Sequence, residues 1–396
     1  MNKPNIFKLE NGMTICLLPY KSVDSVTVHL RGLVGSNYEA PNQIGVAHLL
    51  EHLLLNSGSK NKITIFGGKI VGVTSRDDVL YMVRTLKENL PDALEFLSGI
   101  FSAKQFSKQD LETQKKIVCQ EIKRSLEPPE KLIVKLSHKL MFPKQRLAKL
   151  NTGNEEDIKR INLKEIQDFY DKNYNPRNFV LSVAGNFSDD SITDYIKKVF
   201  KAYKPCCKNQ HKNWKLNDKE ATQIVRKPEV THPHVKIDYY GYKLSEEDTY
   251  AAVALASLFD TFLKSLCKEV LGLSYNVGCS SFSTGSYGIF SIHFACETEN
   301  LAQVTELVRS SFNKVSGLIS TRNVEQVKHK LLAELVFRFE KASQRADYYS
   351  EILLHGGSKQ DHLHEISYIK NLNVEKLKEV AGYLTSQKPK TTIITN

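Results

Sequence analysis

A short apolar run near the N-terminus limits what this chain can fold into more than any other feature. Residues 45–55 contain no proline and are rich in leucine, a pattern that predicts a helix. Three polar residues interrupt the run, His48, Glu51 and His52. Since positions four apart lie on one face of a helix, both imidazoles can bind the same metal ion.

The order of these three residues indicates a zinc site. They form an H-x-x-E-H pattern, the inverse of H-E-x-x-H, which occurs in zinc peptidases. Glu51 stands next to the second histidine, close enough to take a proton from a metal-bound water. Two histidines four residues apart also occur as buried core residues with backbone partners. A carboxylate in so apolar a helix favours the metal interpretation, because an unpaired buried carboxylate is costly.

A catalytic zinc site needs a third protein ligand and one open position. Residues 107–126 are predicted to form a second amphipathic helix, with Leu111, Val118 and Ile122 on its inner stripe. Glu121 falls on the same stripe and is the candidate ligand. Periodicity alone leaves open that Glu121 is an ordinary exposed residue of a charged helix.

The sequence around the motif resembles the pitrilysin/insulinase-type zinc peptidases. The first matching block is the most specific, and the later blocks follow in the same order over nearly the whole chain. The matching segments are residues 35–39, 45–52, 67–68, 74–77, 118–122, 175–181, 184–186 and 272–275. The length of 396 residues is similar to the short, two-domain branch, which includes bacterial peptidases and the subunits of the mitochondrial processing peptidase.

The resemblance implies a role for each residue of the motif. It makes His48, His52 and Glu121 the ligands of Zn²⁺ and Glu51 the general base. In the second half it makes Tyr275 a donor to the substrate carbonyl. Spacing alone is more typical of a packed strand aromatic at that position, and with the resemblance both interpretations stay open.

Two departures from the family pattern lie near the predicted site. Gln114 replaces a glutamate two helical turns before Glu121, so it shares the face of the ligand and can hydrogen-bond there without adding charge. Val71 and Gly72 replace an Asn-Ala pair on an edge strand. Together with Thr74 they are the candidate substrate-binding residues.

A third departure lies in the second half. Lys268 stands where the family usually has an arginine, seven residues before Tyr275. Lysine keeps the positive charge but loses the bidentate fork of a guanidinium. Lys268 is therefore a candidate catalytic residue with altered geometry.

The order of predicted strands and helices indicates an α+β fold of two similar domains. Each domain is expected to have a mostly antiparallel sheet with helices packed on one face, and the two are expected to close clamshell-like over the zinc site. Changes in composition place a zinc-binding catalytic domain at residues 1–205, a linker at 206–229 and a second homologous domain that closes the cleft at 230–396.

Composition is typical of a soluble globular protein, with 41% hydrophobic and 25% charged residues. No membrane span is predicted, and the N-terminus lacks the apolar segment of a secretory signal. Seven scattered cysteines without a C-x-x-C pair fit reduced thiols, so a cytoplasmic location is expected. The net charge of +11 comes from lysines dispersed over helix surfaces, and we expect no nucleic-acid partner.

The sequence therefore predicts a zinc-dependent endopeptidase that cleaves unfolded or extended peptides. Its expected partners are peptide substrates and either a second copy of the chain or a homologous subunit. Two alternatives stay open, a subunit like those of the mitochondrial processing peptidase and a non-catalytic family member that acts as a partner subunit. Retention of both histidines and both glutamates of the zinc motif favours the enzyme.

Overall fold

The structure is a computed structural model that describes residues 3–56, 60–102, 105–125, 128–201, 203, 207–272, 274–356 and 362–396. Two compact units can be distinguished, and each contains its own β-sheet. Unit 1 comprises Met1–Lys123, Leu150–Lys212 and Val336–Ser358. Unit 2 comprises Arg124–Lys149, Asn213–Leu335 and Lys359–Asn396.

Strands from the first half of the chain form the sheet of unit 1. They are β1 (Asn5–Lys8), β2 (Thr14–Pro19), β3 (Ser25–Gly32), β4 (Lys69–Thr74), β5 (Val79–Leu86) and β6 (Phe179–Gly185). Their spatial order is β1-β2-β6-β3-β5-β4. Neighbouring strands are antiparallel except for the parallel pair β2 and β6. The central strand β6 is buried along its whole length, whereas β4 forms an edge.

Strands from the second half form the sheet of unit 2. They are β7 (Ala221–Arg226), β8 (His234–Gly241), β9 (Ser274–Ser283), β10 (Gly288–Cys296) and β11 (Lys390–Thr395). Their order is β7-β11-β8-β10-β9, and only β7 and β11 are parallel. This order repeats that of unit 1 without β1. The predicted α+β fold of two similar domains with mostly antiparallel sheets is confirmed.

Helices connect and cover the strands of both sheets. They are α1 (Val46–Leu55), α2 (Lys60–Thr64), α3 (Leu90–Gly99), α4 (Lys108–Ser125), α5 (Pro129–Met141), α6 (Glu155–Arg160), α7 (Leu163–Asn173), α8 (Asp189–Phe200), α9 (Asp248–Leu263), α10 (Leu301–Asn313), α11 (Thr321–Phe339), α12 (Ala342–His355), α13 (His362–Asn371) and α14 (Val374–Thr385). The two predicted helices of the zinc motif, 45–55 and 107–126, correspond to α1 and α4 within one or two residues.

One helix from each half of the sequence belongs to the compact unit that the other half mainly forms. Helix α12 packs against β2, β3 and β6 of unit 1, and helix α5 packs against β8 and β11 of unit 2. The continuous domain ranges predicted from the sequence, 1–205, 206–229 and 230–396, therefore do not describe the compact units. An amphipathic pattern shows that a helix has a face to bury, but it does not show which sheet that face packs against. The predicted clamshell closure stays a prediction.

One stretch, Asp248–Cys267, is long and apolar enough to cross a membrane by length and composition alone. No such stretch was predicted from the sequence. Within the described protein 56% of its window is buried. Ala251, Leu255, Phe259 and Leu263 belong to the apolar core of unit 2, as expected for the core helix of a globular domain.

Candidate metal and catalytic site

Helix α1 starts at a glycine that no other residue replaces easily. Gly45 has a φ of 91°, and a Cβ there would lie 2.6 Å from Ile158 Cδ1 and 2.7 Å from the carbonyl oxygen of Thr152. Glu39 Oε1 accepts hydrogen bonds of 3.1 Å from the backbone N–H groups of Gly45 and Ala47. A carboxylate thus stabilises the positive end of the helix dipole and fixes where α1 begins.

The structure brings His48, His52 and Glu121 together in unit 1. Glu121 Oε2 lies 3.8 Å from His48 Nε2 and 3.4 Å from His52 Nε2. One donor atom of each residue lies within 4.8 Å of the donor atoms of the other two. Both histidine side chains are largely buried, whereas that of Glu121 is 47% exposed, so solvent reaches the cluster from the side of α4.

The electrostatic environment keeps His48 in the protonation state of a metal ligand. Burial, with a smaller contribution from His52, lowers the pKa of His48 to about 3. The imidazole is therefore neutral near neutral pH, and a lone pair is available for a metal. The two rings meet nearly edge to face, with centroids 4.7 Å apart.

Gln114 determines which ring nitrogen of His52 carries the lone pair. His52 Nδ1 lies 3.3 Å from Gln114 Oε1. An amide oxygen only accepts, so Nδ1 donates its proton and Nε2 keeps its lone pair. Nε2 is the atom that faces Glu121. Hydrogen bonds of this kind on the second ring nitrogen are usual for metal-binding histidines.

Glu51 is buried between α1 and the edge strand β4. Thr74 Oγ1 donates a hydrogen bond of 2.9 Å to Glu51 Oε2, and the same oxygen lies 4.0 Å from His48 Nε2. Burial raises the pKa of the Glu51 carboxyl, although His52 and the hydrogen bond from Thr74 partly offset this. A raised carboxyl pKa suits a group that must both accept and return a proton.

The backbone of β4 approaches Glu51 at Gly72. A Cβ at Gly72 would overlap with Glu51 Oε1. The glycine, which stands where the family usually has an alanine, therefore leaves space beside β4 for the carboxylate. Asn151 Nδ2 donates a 2.6 Å hydrogen bond to the carbonyl oxygen of Thr74 and fixes the end of the strand. Sequence reasoning missed Asn151, and no motif pointed to it. Glu39 was also missed, although it lies in a segment that matches the family.

Two predicted catalytic residues cannot be placed. The side chains of Lys268 and Tyr275 lie outside the described residues, and their backbones belong to Lys264–Val270 and to β9 of unit 2. Their predicted roles stay predictions.

Family models match both halves of the chain. Residues 16–153 match the model described as "Insulinase (Peptidase family M16)", and residues 160–331 match "Peptidase M16 inactive domain". The chain belongs to peptidase family M16. The first match contains the cluster of His48, His52 and Glu121 together with Glu51. The pitrilysin/insulinase-type family predicted from the sequence is confirmed.

Relatives of this M16 protein carry the names of proteases or peptidase subunits. An "uncharacterized zinc protease" of Rickettsia felis is 26% identical over 362 residues, which cover 87% of this chain and 85% of the relative. The mitochondrial-processing peptidase subunit beta of Dictyostelium discoideum is 23% identical over 421 residues, covering 96% and 86%. A protease from Helicobacter pylori has the same fold, with a TM-score of 0.90, 20% identity and full coverage of both chains. The named relatives and the family support a peptidase role.

Proposed function

We propose that this protein is a zinc-dependent endopeptidase that acts on unfolded or extended peptides. The observation that carries this proposal is the meeting of His48, His52 and Glu121 beside the buried carboxylate of Glu51. Two imidazoles and one carboxylate fit Zn²⁺ and leave its fourth position open. When bound, the ion lowers the pKa of a water molecule and polarises a carbonyl group.

Glu51 acts as the general base and then as the general acid. Its Oε2 lies 4.0 Å from His48 Nε2, so a water molecule beside the ligands is within reach of the carboxylate. Glu51 takes a proton from the attacking water and returns it to the leaving amine. The hydrogen bond from Thr74 keeps the carboxylate in position for both transfers.

The peptide binds as an added strand along β4. Among the described strands β4 pairs with β5 alone, so its other edge offers unpaired main-chain groups. Val71 and Val73 on this strand are 40% and 45% exposed, which gives apolar surface for substrate side chains. Because such binding depends mainly on main-chain hydrogen bonds, sequence preference should be broad. Tyr275 is assigned to the substrate carbonyl, and Lys268 to a catalytic role, on the family resemblance alone.

A subunit that works only with a homologous partner is the second candidate. The Dictyostelium relative, named as a subunit beta, favours it. Retention of the zinc cluster and Glu51 favours activity in the chain itself. A mass measurement in solution, combined with cleavage assays on the chain alone, separates a self-paired enzyme from one that needs a partner. The expected cytoplasmic location is tested by cell fractionation.

Cleavage of an extended peptide by the purified protein tests the proposal. Activity should disappear with a chelator and return with added zinc, and equal activity after chelation would contradict a metallopeptidase. Glu121→Ala should lower the zinc content by about one ion per chain, since two remaining ligands hold zinc poorly. Glu112→Ala, an exposed residue of the same helix, is the matched control. If Glu121→Ala keeps full zinc, the third ligand is another residue.

A further inference from the structure

A second group of metal-ligating side chains lies in unit 1, outside the H-x-x-E-H cluster. Asp77, His211 and His355 each place a donor atom within 4.8 Å of those of the other two. Asp77 lies between β4 and β5, His211 lies in the segment after α8, and His355 is the last residue of α12. Three segments that are distant in sequence therefore meet at one point.

The ring of His355 is oriented by a carboxylate. Its Nε2 lies 2.6 Å from Asp78 Oδ2, and the same oxygen is 3.2 Å from Arg31 Nη1. A carboxylate paired with a guanidinium is ionised and only accepts, so Nε2 donates its proton, and in the neutral ring Nδ1 is the nitrogen with the lone pair. His355 Nδ1 is buried and has no hydrogen-bond partner among the residues that the structure describes. A carboxylate on the other ring nitrogen is the arrangement that usually supports a metal-binding histidine.

The other two members of the group are also oriented by hydrogen bonds. The ring of His211 is hydrogen-bonded to the backbone of Leu354, while its Nδ1 is buried without a partner in the described part of the chain. Its ring centroid lies 5.2 Å from that of His355, with the planes inclined by 42°. Asp77 is buried, and its Oδ1 accepts a 2.7 Å hydrogen bond from Asn37 Nδ2. Each imidazole thus has one buried nitrogen without a hydrogen-bond partner in the described part of the chain, and the group includes a carboxylate that Asn37 positions.

Buried carboxylates lie beside this group of side chains. Asp77 and Asp78 are both buried, and Arg31 is the buried cation paired with Asp78. Arg31 also pairs with Asp347, so its charge is shared between two carboxylates. A cation bound beside Asp77 and Asp78 would be stabilised by the charge of both carboxylates.

We propose that Asp77, His211 and His355 bind one divalent transition-metal ion of the class represented by Zn²⁺ and Co²⁺. Two imidazoles and one carboxylate suit such ions better than Mg²⁺ or Ca²⁺, which prefer oxygen ligands. The ion ties the segment of His211 and the end of α12 to the connection that follows β4. The site is structural: its binding free energy stabilises the arrangement of these three segments in unit 1.

The test uses the full chain with the first cluster removed by His48→Ala and His52→Ala. The metal-free double variant is titrated with ZnCl₂, and separately with CoCl₂ to follow visible absorption. It should still bind about one ion per chain, and adding His211→Gln should abolish that binding. The matched control adds His329→Gln, an exposed histidine of α11, to the same double variant, and should leave the stoichiometry unchanged.

Thermal unfolding distinguishes a variant that has lost zinc binding from one that does not fold. Zinc should raise the melting temperature of the double variant, because an ion that binds the native state stabilises it, and it should have no such effect after His211→Gln. Should His211→Gln not fold, Asp77→Asn replaces it, since an amide can still accept from Asn37. A double variant that binds no zinc, or one that binds it equally with and without His211, would overturn the proposal. In that case the three side chains form a buried polar contact and nothing more.

Discussion

Helices α1 and α9 occupy equivalent places in the two units but differ in chemistry. Each helix precedes the edge strand of its sheet, β4 in unit 1 and β9 in unit 2. On α1, Glu51 faces the edge strand and accepts from Thr74. On α9, Asp260 accepts a 3.1 Å hydrogen bond from the backbone N–H of Cys279 on the edge strand. Both helices thus direct a carboxylate at the strand, and only α1 adds the two histidines of the motif.

The comparison extends to the central strands β3 and β8. On β3, Arg31 is buried in an ion pair and its Nε donates a 3.1 Å hydrogen bond to Ser350 of α12. On β8, Lys236 and Asp238 form a buried pair, and Ser137 of α5 donates to Asp238. In each unit the exchanged helix covers a buried charge pair. This polar layer is a repeated structural feature, whereas the histidine cluster distinguishes unit 1.

The largest effect is expected from Glu51→Gln. The amide cannot act as a base, while the three ligands remain, so zinc should stay bound and kcat should fall by roughly 10²–10⁴-fold or more. Peptide cleavage and zinc content are measured on the same preparation. Asp260→Asn, the equivalent carboxylate of unit 2, is the control and should leave kcat near normal. Near-normal activity of Glu51→Gln would remove Glu51 from the mechanism.

A smaller effect is expected from Gln114→Ala. Without the amide oxygen, His52 Nδ1 loses its hydrogen-bond acceptor, and zinc affinity should fall by roughly 10–100-fold. Competition with a chelator of known affinity measures this change. Gln109→Ala, an exposed glutamine of the same helix, should keep the wild-type affinity. Equal affinity in both variants would show that His52 does not depend on Gln114.

Thr74→Val tests the hydrogen bond to Glu51. Valine has nearly the shape of threonine, so the main loss is a hydrogen bond to a charged group, and kcat should fall by roughly tenfold. Zinc content should not change. In unit 2, Thr249 shares a 2.6 Å hydrogen bond with Ser283, and Thr249→Val is the control for loss of a buried hydroxyl. If both variants lose activity equally, the loss comes from a less stable fold and not from the missing hydrogen bond to Glu51.

Sequence could predict the features that depend on spacing along one helix or on a matched motif. Helix α1, helix α4 and the approach of Glu121 to the histidines are of this kind. The contact of Asn151 with Thr74, and the meeting of Asp77, His211 and His355, could not be predicted, because they depend on which distant segments pack together. The exchange of α5 and α12 was missed for the same reason, since amphipathic periodicity does not identify the sheet that a helix covers.

The smallest effect is expected from Val73→Thr on the edge strand β4. Threonine keeps the shape and strand propensity of valine but replaces a methyl group by a hydroxyl, so a peptide that lies along this edge loses some apolar contact. KM should rise by roughly two- to fivefold with kcat unchanged, because ground state and transition state lose the same contact. Ile224→Thr on β7, an exposed edge position of the other sheet, is the control and should leave KM unchanged. An unchanged KM for Val73→Thr would mean that the peptide does not bind along β4. A higher KM in both variants would mean that binding depends on exposed apolar surface in general and not on the edge of β4.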